Sequence, residues 1–125
     1  TGAANEYLPH NYNPNCWVYT GTHDNETIAG WFAGLDKESR DHVRAYLDDQ
    51  DAAIKRVYMK LISLGMRSCA RVCVIPMQDW LLLGDEARIN TPSTTGKNWV
   101  WRMDRGAASP ELAAQIRRMT RTYGR

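Results

Sequence analysis

The stretch Trp17-Val18-Tyr19-Thr20-Gly21-Thr22-His23-Asp24-Asn25-Glu26-Thr27 decides how the chain is read. Its first part is aromatic and β-branched, as a pleated strand prefers, and its second part turns abruptly polar. A parallel strand buried on both faces reads as such an apolar run. The loop leaving its C-terminal end can carry polar groups to a substrate without disturbing the core. The pattern predicts a strand over residues 16–20 and a functional loop behind it, with His23 and Asp24 the first candidates for chemistry.

Working outward, residues 70–75 form a second apolar, β-branched run, and Pro76 ends it because proline cannot donate a ladder bond. Helical signals lie between the two runs. Residues 27–35 read as a short helix carrying Trp31 and Phe32, and Asp36 is placed to cap a second through Val43 and Leu47. Residues 51–64 read as a third, with Ile54, Val57, Tyr58, Leu61 and Leu64 on one face and Gly65 placed to stop it. Strand, helical crossover and strand make a βαβ unit, so the chain is expected to be α/β with a parallel pair. Residues 78–83 predict one helical turn and residues 84–96 a polar loop. Ser109 is expected to cap a last helix with Pro110 at its first position and Leu112, Ile116, Met119 and Tyr123 as its inner stripe. Residues 1–15, with Pro9, Pro14 and several Asn, read as irregular lead-in.

Composition narrows the class. With 43% hydrophobic and 24% charged residues the chain is too apolar for disorder, and its apolar runs are too short to cross a bilayer, so no membrane partner is expected. A net charge of +2 is too small to suggest nucleic acid. Arg102, Arg105, Arg117, Arg118, Arg121 and Arg125 crowd the C-terminal part and read as a solvated helix face. Three cysteines, Cys16, Cys69 and Cys73, cannot all pair within one chain and are expected as reduced, buried thiols. No second Cys or His pair stands at zinc-ligand spacing, so no metal is expected. Asn25-Glu26-Thr27 fits the N-glycosylation acceptor pattern, but short patterns recur by chance and this one lies inside the presumed functional loop.

A resemblance reaches further than these readings. Tyr19-Thr20-Gly21-Thr22-His23-Asp24-Asn25 is similar to a motif of the amylomaltases, the 4-α-glucanotransferases of glycoside hydrolase family 77, relatives of the α-amylases. Ile75-Pro76-Met77-Gln78-Asp79, Gly84-Asp85-Glu86-Ala87-Arg88-Ile89-Asn90-Thr91-Pro92 and Asn98-Trp99-Val100-Trp101-Arg102 resemble the C-terminal region of that family in residues and order. A complete (β/α)8 barrel needs about 250 residues. The chain has 125 and begins with Thr1, so the resemblance implies the C-terminal portion, the last two β/α units, of a (β/α)8 TIM barrel, with residues 1–125 as one fragment of the catalytic domain.

The resemblance also implies roles. Retaining chemistry on a glycosidic bond needs a nucleophilic carboxylate and an acid/base carboxyl about 5 Å apart; in this family both lie on earlier strands, upstream of the region seen here. Asp24 matches the third carboxylate, which holds sugar hydroxyls and favours the cationic transition state. His23 matches its hydrogen-bonding companion, and Asn90 matches a position expected to touch substrate hydroxyls. Read without the family, Asp24 fits a cap for the helix starting near Thr27 as well as it fits a catalytic role, His23 fits a structural histidine, and Asn90 fits a turn residue nearly as well as a substrate contact. Asp79 and Glu86 are acidic and on the same face, but Glu86 stands two residues before Arg88 and reads as half of a loop-fixing pair. Of Trp17, Trp31, Trp80, Trp99 and Trp101, most are expected in packing and some as stacking faces for sugar.

The implied partner is a maltooligosaccharide or starch-like α-glucan, with no metal or organic cofactor, and the implied compartment is cytoplasmic. Glu26 stands where many relatives carry Asp, a change of length just outside the site. Two alternatives remain at this point: a hydrolase of the same barrel class, and a non-catalytic glucan-binding fragment. A piece holding two strands of a barrel is further expected to self-associate or to need the rest of the barrel.

Overall fold

Two short parallel strands organise the fold: β1, Trp17–Tyr19, and β2, Val72–Val74, with Trp17 opposite Val72, Val18 opposite Cys73 and Tyr19 opposite Val74. The structure is a computed structural model that describes residues 2–125. Helices α1 (Ile28–Gly34), α2 (Lys37–Tyr46) and α3 (Ile54–Met66) make the crossover, α4 (Met77–Trp80) follows β2, and α5 (Pro110–Thr122) ends the chain. Short 3-10 turns lie at Pro9–Asn11 and Asp85–Ala87. The expected α/β crossover is present, and α3 packs against α1, α4 and α5.

The helix starts follow the local chemistry. The Thr27 hydroxyl accepts the Gly30 N–H at the start of α1, the Asp36 carboxylate accepts the Ser39 N–H at α2, and the Ser109 hydroxyl accepts the Leu112 N–H at α5. Each satisfies an otherwise orphaned first-turn donor, worth about 1 kcal/mol. Because Thr27 caps α1, Asp24 is not needed for that role. The inner stripe expected of Leu112, Ile116, Met119 and Tyr123 is observed, half-buried against the core.

Phe32, Val57 and Ile62 are fully enclosed between α1 and α3, each contributing roughly 1.5–3 kcal/mol through burial. The Tyr58 ring meets Phe32 edge-on at 6.0 Å, and the Arg44 guanidinium lies over the Phe32 ring, 5.3 Å from its centroid. Trp80, from α4, closes the same cluster.

Several expectations are corrected. α3 begins at Ile54 rather than 51, because residues before it fold back: Asp49 pairs with Arg56 and Lys60 at 2.8 and 3.0 Å, and Ala52 is drawn into the core. Gly65 does not stop the helix. It lies inside it, where a Cβ would meet the Cys73 sulfur at 3.4 Å and the Thr20 methyl at 3.7 Å, so its bareness lets α3 rest on the sheet. The buried face runs through Val57, Tyr58, Ile62, Gly65 and Met66, while Ile54 is exposed and Leu61 and Leu64 are half-buried.

The strands are not covered on both sides. Val18 faces the helices and is 8% exposed, whereas Trp17 and Tyr19, on the opposite face, are 63% and 47% exposed. Among the tryptophans only Trp80 belongs to the core; Trp17, Trp31 and Trp99 are exposed and Trp101 is half-buried. The three thiols are free, but Cys69 is exposed rather than buried, its sulfur 3.4 Å from the Tyr12 carbonyl oxygen, and Cys16 and Cys73 are half-buried. Burial pushes the Cys73 thiol pKa up, with Arg125 opposing. Arg117, Arg118 and Arg121 lie on the exposed side of α5 as expected.

Candidate active site

Because β1 and β2 are parallel, the loops that leave their C-terminal ends open on the same side. The first loop, residues 20–27, is closed on itself: Asn25 Oδ1 accepts from the Thr22 N–H and the Thr22 hydroxyl, each at 2.8 Å, and the Asn25 N–H returns to the Thr22 carbonyl. That turn pushes His23 and Asp24 outward. Their side chains are 55% and 48% exposed, with His23 Nε2 3.4 Å from Asp24 Oδ2.

Both ends of this loop are tied to α4 by one buried carboxylate. Asp79, 3% exposed, accepts the Thr20 hydroxyl at Oδ2 (2.7 Å) and the Ile28 N–H at Oδ1 (2.8 Å). Desolvation raises its pKa, the two hydrogen bonds opposing. Asp79 is therefore at the right end of the strands but turned inward, a brace for the loop and not a group open to a sugar.

The second loop meets the first. Asn90, half-buried, donates its side-chain N–H to Asp24 Oδ1 at 2.7 Å and its main-chain N–H to the His23 carbonyl at 3.0 Å. Arg88 Nη2 donates to the Asp24 carbonyl and Arg88 Nε to the Asn90 carbonyl, both at 2.9 Å. The expected Glu86–Arg88 pair does not form: Glu86 Oε1 takes the Gly84 N–H at 2.9 Å instead. Trp99 adds a further contact, its ring centroid 5.0 Å from that of His23. Its backbone has φ +60°, and its N–H closes the loop onto the Ile89 carbonyl at 2.7 Å.

Thus His23, Asp24 and Asn90, 66 residues apart at the extremes of the Asp24–Asn90 bond, stand together, while Asp79 and Glu86 do not join them. A cleft of about 710 Å³ runs beside them, lined among others by His23, Arg88, Gln78, Trp101 and the small exposed part of Asp79, whereas Asp24 and Asn90 are not part of its lining. The arrangement can offer a carboxylate, an imidazole and amide groups to the hydroxyls of a sugar, with aromatic surface alongside.

A family profile described as 4-alpha-glucanotransferase matches residues 1–108. The chain belongs to this 4-alpha-glucanotransferase family. Similar relatives include a 4-alpha-glucanotransferase of Clostridium butyricum, 44% identical over 98% of this chain and 25% of its own length, and one of Thermus thermophilus, 42% identical over 94% and 25%. Among solved structures, an amylomaltase from Streptococcus agalactiae in complex with acarbose superposes with a TM-score of 0.87 at 31% identity, covering 96% of this chain and 24% of that one. The chain spans about a quarter of the length of these 4-alpha-glucanotransferases.

Arg88 is the contributor that the sequence does not announce in this family member, and only the structure singles out Trp99 from the other tryptophans. Arg88 was readable only as a partner for Glu86, since main-chain acceptors leave no mark in a sequence. Trp99 was one of five tryptophans; its left-handed backbone, which carries no signal of its own outside glycine, is what sets it apart.

Proposed function

We propose that the protein containing this chain is a 4-α-glucanotransferase. It cleaves an α-1,4 bond of a maltooligosaccharide or starch-like glucan with retention, holds the donor as a covalent glycosyl-enzyme, and passes it to the 4-hydroxyl of glucose or another glucan. Residues 1–125 supply the last two β/α units of its (β/α)8 barrel. The protein acts in the cytoplasm, where three unpaired cysteines are at home.

In this reading Asp24 holds neighbouring hydroxyls of the donor sugar and stabilises the positive charge that develops on its ring. His23 donates a hydrogen bond to the same sugar, and Asn90 orients Asp24 while reaching substrate hydroxyls. The nucleophile and the acid/base come from earlier strands. The observation that supports the proposal is the Asn90–Asp24 bond beside His23, which brings the three proposed sugar-holding residues together from two separate loops.

The test is incubation of the full-length protein with maltotriose and isotopically labelled glucose. Transfer puts label into maltooligosaccharides of several lengths; a hydrolase yields unlabelled maltose and glucose alone, and a binding protein leaves the maltotriose intact.

A further inference from the structure

Arg88 is the cation of this site whose work is unassigned. It is half-buried, lines the cleft beside His23, and makes no ion pair among the described residues. Two of its donors go to main chain: Nη2 to the Asp24 carbonyl and Nε to the Asn90 carbonyl, both at 2.9 Å. A guanidinium is a rigid planar fork, so two such bonds fix two backbones relative to each other in a way that the single flexible ammonium of lysine does not.

The two backbones are those of the residues that meet at the site. Asn90 already grips Asp24 Oδ1 through its side chain and the His23 carbonyl through its N–H. Both of these bonds run from Asn90. Arg88 adds a third, from a second residue, to the Asp24 carbonyl, while the brace at Asp79 holds the ends of the loop at Thr20 and Ile28. A carboxylate that must stabilise a transition state works best when it needs no reorganisation as charge develops.

We propose that Arg88 is a positioning residue for glycosyl transfer: by clamping the Asp24 main chain to that of Asn90 it pre-sets the Asp24 carboxylate toward the sugar. This rests on the reading of Asp24 given above. Misplacing a catalytic group by about 1 Å can cost on the order of 100-fold in rate.

The experiment measures kcat and KM for maltotriose disproportionation by the full-length protein and its Arg88→Ala, Arg88→Lys and Asp24→Asn variants, each checked for folding by thermal melting. Arg88→Ala is expected to lower kcat roughly ten- to a hundred-fold with KM little changed, since orientation and not affinity is lost. Arg88→Lys keeps one attachment and falls in between. Added methylguanidine restores part of the Arg88→Ala rate and none of the Asp24→Asn rate. Wild-type kcat in a folded Arg88→Ala or Arg88→Lys variant, or a change confined to KM, overturns the positioning role provided Asp24→Asn is inactive. Near wild-type turnover by Asp24→Asn overturns instead the reading on which it rests.

Discussion

The Asn90 side-chain amide donates to Asp24 Oδ1 at 2.7 Å, which leaves Oδ2 as the oxygen nearest His23, at 3.4 Å. One oxygen is thereby committed to the protein. Asn90→Ala in the full-length protein is expected to lower kcat about tenfold, the range for one hydrogen bond to a charged group. Asn90→Asp is expected to do worse, because it replaces the donor on Asp24 Oδ1 with a second negative charge that repels it. Steady-state kinetics at neutral pH check both; an Asn90→Asp variant as active as wild type would show the two side chains are not in contact.

Asp79 makes a prediction about pH. Its pKa is raised by desolvation, so the folded state holds the proton more tightly than the unfolded chain. Its stabilising contribution is full below the ordinary carboxylate value of 3.8 and is lost as pH rises through the raised value. Asp79→Asn can still accept from the Ile28 N–H and donate to the Thr20 hydroxyl. Its melting temperature relative to wild type is expected to rise between strongly acid and neutral pH. Asp79→Ala orphans the buried Ile28 donor and is expected to cost about 1–3 kcal/mol. A difference between wild type and Asp79→Asn that is flat with pH would contradict the raised value.

At the far end of the chain, Arg125 donates to the Met66, Ser68 and Ala70 carbonyls at 2.6, 2.9 and 2.8 Å, capping the C-terminus of α3 and fastening α5 to the approach of β2. Arg125→Ala is expected to destabilise by about 1.5–3 kcal/mol, since these are hydrogen bonds from a charged donor at the negative end of a helix. Chemical denaturation of the full-length protein measures it, and a change below about 0.5 kcal/mol, the range of neutral surface substitutions, would show that α5 is held by its apolar stripe alone.

Exposure of Trp17, Tyr19 and Val74 on the outer face of the sheet predicts that residues 1–125 expressed alone self-associate. Sedimentation velocity over a concentration series checks this. A compact monomer at every concentration would mean that the open face is tolerated.

The fold was legible where local chemistry acts alone. Thr27, Asp36 and Ser109 mark the helix starts because their side chains reach donors three residues on, a relation visible in one dimension. Gly65 misled because a glycine after an apolar stripe is the usual stop signal, while its reason here is the Cys73 sulfur and the Thr20 methyl lying against it. The same holds at the site. His23 and Asp24 could be picked out as polar residues following a strand, and Asn90 through its motif, but the Arg88 clamp runs between main-chain carbonyls, and the Trp99 contact depends on an uncommon backbone angle. Asp79 looked like a member of the site by its position at the strand end; only its burial and its two donors place it beneath the loop.

The central claim is that Asp24 stabilises the charge of the glycosyl-transfer transition state, and the direct measurement is the turnover of maltotriose by full-length Asp24→Asn. The substitution keeps the side chain's shape and the bond to Asn90 while removing its charge. The account predicts a loss of at least about 100-fold in kcat, the scale of removing one preorganised electrostatic contact, with the melting temperature unchanged. A folded Asp24→Asn enzyme that redistributes maltotriose at close to the wild-type rate would contradict it.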